Sequence, residues 1–134
     1  EKKLKLNKVQ SFKIFIKKIN FLRKKLNDKL NSIRINNETV HCYGASTKGN
    51  VLLQYFRIDN KKINFAAERN KNKYGLITPG SKIKIIPEKL SRSMKPNYYL
   101  VLPWHFKKEI LIREQLMRNK GTKFIFPLPK FEII

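Results

Sequence analysis

Eight residues, Tyr43-Gly-Ala-Ser-Thr-Lys-Gly-Asn50, hold most of what this chain offers to an anionic ligand. They follow a short apolar stretch with Val40 and Cys42 and open a helical pattern at Val51, Leu52, Tyr55 and Phe56. They therefore sit where a strand turns into a helix, the place where α/β proteins hold phosphate. Gly44, Ser46 and Gly49 take the three glycine positions of the dinucleotide-binding fingerprint. Ser46 replaces the glycine that lets backbone approach a pyrophosphate, while the tight turn and close helix packing survive the change. The helix start supplies unpaired N–H groups, and Lys48 and the hydroxyls of Ser46 and Thr47 add further donors. The other reading of the same spacing is a turn that only joins strand to helix.

Two later segments belong on the same edge of a sheet, because ligands of open α/β folds bind beyond the carboxyl ends of the strands. Glu68 to Gly80 brings Arg69, Lys71 and Lys73 as phosphate contacts or as ordinary surface charge. Pro103 to Phe106 brings Trp104, able to stack on a ligand ring or to anchor its loop, and His105, able to hydrogen-bond or titrate near neutral pH. Catalytic sets are scarce. His41, His105 and the single Cys42 have no zinc-ligand spacing, and the acids after residue 40 show no close pair. Lys48 precedes Gly49 rather than following it, so the run is no Walker loop.

The elements that must position these residues follow from periodicity. Phe12, Ile16, Ile19, Leu22, Leu26, Leu30 and Ile33 recur in steps of three and four, which predicts an amphipathic helix of about six turns. Its basic face suits solvent, a membrane or nucleic acid, and its apolar stripe should pack on a core; Asn36-Asn37 ends it. A strand at Val40, a helix over 49–56, strands over 63–67 and 82–86, a strand over 98–102, a helix over 107–119, a strand over 122–128 and an edge strand over 131–134 follow. Strands alternating with helices predict a Rossmann-like, mostly parallel α/β sheet flanked by helices and preceded by the long helix. The expected division is 1–38 for that helix and 39–134 for the domain.

The net charge is +22, which suggests nucleic acid, an acidic membrane surface or an anionic ligand. Lysine supplies 24 of the 31 basic residues, whereas bidentate recognition of phosphates and bases favours arginine. The charge is also spread along the chain rather than gathered in one tail. One cysteine in an apolar strand forms no internal disulfide and fits a reducing compartment, and no stretch nears the ~20 apolar residues of a membrane span. A cytoplasmic protein without a membrane partner is the expectation.

Four motifs in order resemble the C-terminal domain of the S-adenosylmethionine-dependent sugar C-methyltransferase family. They are Tyr43 to Asn50 with Leu52-Leu-Gln-Tyr55; Glu68-Arg-Asn-Lys-Asn-Lys-Tyr-Gly75 with Thr78-Pro-Gly80; Tyr99-Leu-Val-Leu-Pro-Trp-His-Phe106 with Glu109-Ile110; and Phe124-Ile-Phe-Pro-Leu-Pro129. The resemblance covers the chain from about residue 9 to its end. It implies a nucleotide-linked deoxysugar, or a similar anionic small molecule, as the substrate methylated on carbon. It also implies a zinc-binding N-terminal segment and a middle domain that binds S-adenosylmethionine and carries the catalytic base. This chain holds neither the cysteine cluster nor a second glycine fingerprint, so S-adenosylmethionine is not expected to bind it alone and no catalytic residue is assigned. The substrate-binding candidates carried over are Ser46, Thr47, Lys48, Asn50, Trp104 and His105. The expected partner is an upstream methyltransferase domain or a separate subunit.

Two other classes remain in view. A nucleic-acid-binding module would answer the charge and would bind in a salt-sensitive, sequence-indifferent way. A stand-alone nucleotide-binding Rossmann protein of dehydrogenase type would place Glu68 on a ribose hydroxyl.

Overall fold

A computed structural model of the protein describes residues 2–134. Helix α1 (Lys2–Ile35) leads into β1 (Val40–Tyr43), α2 (Thr47–Tyr55), β2 (Phe65–Glu68), β3 (Ile85–Pro87), α3 (Glu88–Ser93) and β4 (Tyr98–Val101). Then come α4 (Lys107–Arg113), α5 (Gln115–Asn119), β5 (Lys123–Phe126) and β6 (Glu132–Ile133). Single turns of 3-10 helix occupy Lys71–Lys73 and Trp104–Phe106.

The six strands lie in the order β3-β2-β1-β4-β5-β6. All neighbours run parallel except β5 and β6, whose short edge strand returns antiparallel. The Rossmann-like expectation is met. In register, Cys42 stands beside Ala66 on one side and Leu100 on the other. The chain winds outward from β1 to β3, then crosses to β4 on the opposite flank of β1. Its topological switch point therefore lies between β1 and β4, where open α/β sheets form their ligand crevice.

Strands β1 and β4 are buried at every position because helices cover both faces of the sheet. Alternation sends Val40, Cys42, Ala66, Leu100 and Ile125 toward α1 and α2, where Leu26, Leu30, Ile33, Leu53 and Phe56 meet them. It sends Tyr43, Ala67, Tyr99, Val101 and Phe124 the other way, toward Ile110 of α4 and Met117 of α5.

Helix α1 departs from the expected packing. Its 34 residues contain no proline or glycine, and its many lysines and leucines, good helix formers, keep it helical for about 50 Å. Only Leu26, Leu30 and Ile33 are buried, with Ile19 and Leu22 partly covered, whereas Phe12 is 64% exposed. The stripe continues beyond the end of the domain it was expected to cover. The single helix expected over 107–119 is broken at Glu114, whose φ of −100° and ψ of 24° leave the helical region between α4 and α5. Among the described residues no helix is long and apolar enough to cross a membrane, and no group of three or more His, Cys, Asp or Glu side chains is placed to hold a metal ion.

Candidate functional site

The turn after β1 is built from local chemistry. Gly44 adopts φ +91°, a conformation that side chains disfavour, and its open face meets the ring of Pro103 after β4. Ser46 is the N-cap of α2: its hydroxyl accepts a hydrogen bond from Gly49 N–H at 3.1 Å, and its own proton remains free to donate. Gly49 is required by packing. A Cβ there would stand 2.6 Å from Leu102 Cβ, so helix and strand touch as closely as the third fingerprint glycine permits.

The loop after β2 is stitched to this turn. Ala45 N–H donates to Glu68 Oε2 at 2.9 Å, and Lys73 Nζ donates to the Ala45 carbonyl at 3.1 Å. The other Glu68 oxygen accepts from the N–H groups of Arg69 and Asn70. Glu68 thus closes two loops upon each other, a role that spacing alone did not distinguish from holding a ribose.

Between these loops and α4 lies a cleft of about 450 Å³. Ser46 stands at its rim, Tyr43, Pro103, Phe106 and Ile110 give it apolar walls, and Arg69, Lys73, Arg113, Glu68, Glu88 and Glu109 give it charge. Three bases face three acids, a balance unlike the strongly basic chain around it. Beneath the cleft, Tyr43 donates to Glu114 Oε2 at 2.9 Å and accepts from Arg113 Nε at 2.8 Å. Burial, then the negative charge of Glu114, pushes the Tyr43 phenol pKa up, so the proton stays on it. Glu114 is 1% exposed and also takes two hydrogen bonds from Arg92, whose guanidinium reaches on to Glu88. The hydrogen bond that Arg92 donates to Glu114 leads among the causes that raise the Arg92 pKa. Two acids that showed no pairing in the sequence are thereby joined through one guanidinium.

Behind this network His41 Nδ1 lies 2.7 Å from Ser91 Oγ, which lies 2.7 Å from the Tyr99 hydroxyl. Burial pushes the His41 pKa down to about 4, leaving the ring neutral. This is a satisfied interior chain of polar groups away from solvent. Burial likewise pushes the Cys42 thiol up, as expected for an inert interior cysteine.

The candidates named from sequence divide among three places. Ser46 lines the cleft; Thr47 and Asn50, with Ser46, line an adjoining cavity of about 260 Å³ under Leu76 to Pro79. Asn50 Oδ1 accepts from Ser81 Oγ at 2.9 Å, tying α2 to that loop. Lys48 and Trp104 both line an apolar groove on the other side of α2, with Phe15 and Val51. His105 is exposed in the 3-10 turn and lines none of these spaces. The three segments expected at the carboxyl edge do converge there, but they present Arg69, Lys73, Pro103 and Phe106 rather than Lys48 with Trp104 and His105. The residues sequence reasoning missed are Arg113, Glu114, Arg92 and Glu88, which meet around the Tyr43 hydroxyl. Their only sequence signal is a pair of adjacent opposite charges at Arg113-Glu114 within an otherwise ordinary helix.

The sequence pattern of the C-methyltransferase C-terminal domain matches residues 1–129. The chain is 32% identical over 113 residues to the C-methyltransferase NovU of Streptomyces niveus, a stretch that covers 84% of this chain and 27% of NovU. The chain thus spans about a quarter of the length of that relative. A match across almost all of its residues shows that this chain belongs to the C-methyltransferase C-terminal domain family.

Proposed function

We propose that this chain is the substrate-holding C-terminal part of an S-adenosylmethionine-dependent C-methyltransferase acting on a nucleotide-linked deoxysugar. The observation that carries the reading is the cleft at the β1/β4 switch point, charge-balanced and walled by apolar rings in a chain of net charge +22. Interspersed donors and acceptors suit the hydroxyls of a sugar, and aromatic or proline rings suit its apolar face. The N–H groups at the start of α2, the hydroxyls of Ser46 and Thr47, and the cations Lys73 and Arg113 suit a diphosphate at the rim. Lys48, Trp104 and His105 stand farther from this cleft and reach the ligand only once a second domain covers the edge.

S-adenosylmethionine, when bound to such an enzyme, offers a methyl group on sulfonium to a carbon nucleophile of the substrate. The residues here do not fit it. Glu68, the acid at the end of β2 that could hold a ribose, has both carboxylate oxygens on backbone N–H groups, and Gly49 is closed against Leu102. The family resemblance implies that the donor site, the catalytic base and the zinc site lie in a preceding domain or a partner subunit, and we place them there. Cys42, buried and singly present, is in keeping with a cytoplasmic location.

Amide chemical shifts of the purified chain test the reading. Titration with nucleoside-diphosphate deoxyhexoses should move Ser46, Thr47, Lys73 and Arg113, and S-adenosylmethionine should move none of them. Tight S-adenosylmethionine binding that disappears on substituting Gly44 would put the donor site in this domain and defeat the proposal.

A further inference from the structure

Helix α1 carries its apolar stripe well beyond the core. Leu26, Leu30 and Ile33 seal the domain, and the same face continues through Leu22, Ile19, Phe15 and Phe12, where Phe15 is 57% exposed. The exposed face does not stand alone. Phe15 and Ile19 form one wall of a groove of about 520 Å³ whose other wall is Val51 and Tyr55 of α2, with Trp104 and Leu128 at its end. Val51 is 61% exposed. From Lys2 to Asn27 the helix holds ten cations and no acid.

We infer that this groove, together with the projecting half of α1, is the docking surface for the donor-binding part of the methyltransferase, and that the surface it receives is apolar at its centre and acidic at its rim. The inference rests on the proposed function. Three observations select this occupant. The chain matches 27% of NovU, so most of such an enzyme lies outside the fold described here and needs a place to sit. The groove reaches the carboxyl edge of the sheet at Trp104, in the turn that follows β4, next to Pro103 and Phe106 of the cleft. Charge disfavours a second copy, because pairing α1 helices would bring two sets of ten cations together around an apolar seam. Shape disfavours a lipid surface, because the apolar residues line the two walls of a concavity rather than one plane.

Hydrogen exchange of the chain fused in place of the matched stretch of NovU tests this directly. Amides of Leu4 to Phe21 and of Val51 to Tyr55 should exchange at least tenfold more slowly in the fusion than in the isolated chain. Phe15→Glu combined with Val51→Glu should abolish that slowing, while Ile112→Glu, on the outer face of α4, should leave it intact. All three positions are exposed, so the melting temperature of the isolated chain should not move. Unchanged exchange at Leu4 to Phe21, in a fusion whose β1 and β4 amides remain protected, overturns the inference. If the fusion loses sheet protection, the isolated chain is mixed with the remaining portion of NovU made as a separate polypeptide, and the same slowing is required. Slowing that instead depends on the concentration of the isolated chain, or that needs phosphatidylserine vesicles, also overturns it in favour of a second copy or a lipid surface. The outcome is separable from the function: docking without nucleotide-sugar binding defeats the proposed function alone, and nucleotide-sugar binding without docking defeats this inference alone.

Discussion

Arg113 donates through Nε to the Tyr43 hydroxyl 2.8 Å away, across 70 residues of chain. The contact joins the end of β1 to α4, and Glu114 holds it in place from below by accepting the Tyr43 proton's hydrogen bond. A guanidinium fixed in this way loses less freedom when it meets a ligand than one swinging on the surface. Arg113 is therefore the cation of the cleft best prepared for binding.

Glu114→Gln removes the charge at the centre of this network and keeps the volume. Arg92 then remains with Glu88 alone, and Tyr43 loses its charged acceptor. Stability should fall by about 3 kcal/mol, as for a buried pair deprived of one partner. Urea unfolding monitored by tryptophan fluorescence checks this, and a loss under about 0.5 kcal/mol would show that the network carries no strength.

The two halves of α1 should respond oppositely to truncation. Leu26 is completely buried, so Leu26→Ala should cost about 2–5 kcal/mol. Phe12→Ala should change stability by less than about 0.5 kcal/mol, because its ring is already in water. Comparable losses at both positions in thermal denaturation would mean that the helix folds back on the domain in solution.

His41 makes stability depend on pH in a defined window. Its folded pKa is about 4 against an ordinary value of 6.5, so between these limits the unfolded chain binds the extra proton. The contribution is complete above pH 6.5 and is lost as pH falls toward 4; the shift corresponds to about 3 kcal/mol. Unfolding free energies across pH 7 to 4 should fall in the wild type and fall less in His41→Asn. A His41 ring that titrates by NMR near 6.5 would contradict this.

Much of the architecture was legible because alternation and helical period survive in the sequence. The strand-turn-helix at Tyr43 to Asn50, the closely packed Gly49 and the convergence of three loops at one edge all follow from spacing. The extent of α1 packing was not legible, since a stripe reads the same whether a core lies beneath it or only solvent. The break at Glu114 was hidden for a related reason: residues 107–119 keep a helical period, and the burial of one glutamate against Arg92 and Tyr43 depends on partners 22 and 71 positions away. The placement of Lys48 and Trp104 on the far side of α2 needed the direction of each side chain around the helix start. No motif encodes that.

Calorimetric titration of the chain with nucleoside-diphosphate deoxyhexoses tests the central claim most directly. Half a cleft leaves much of the ligand in water, so the dissociation constant should be on the order of a millimolar. Arg113→Ala should weaken it about tenfold, the size of one lost charge-assisted hydrogen bond, while Lys5→Ala and Lys8→Ala, which remove the same unit of charge on α1, should leave it unchanged. Equal losses in all three variants, with duplex DNA competing as well as the nucleotide-sugar, would contradict a specific cleft and make the basic surface a general binder of polyanions.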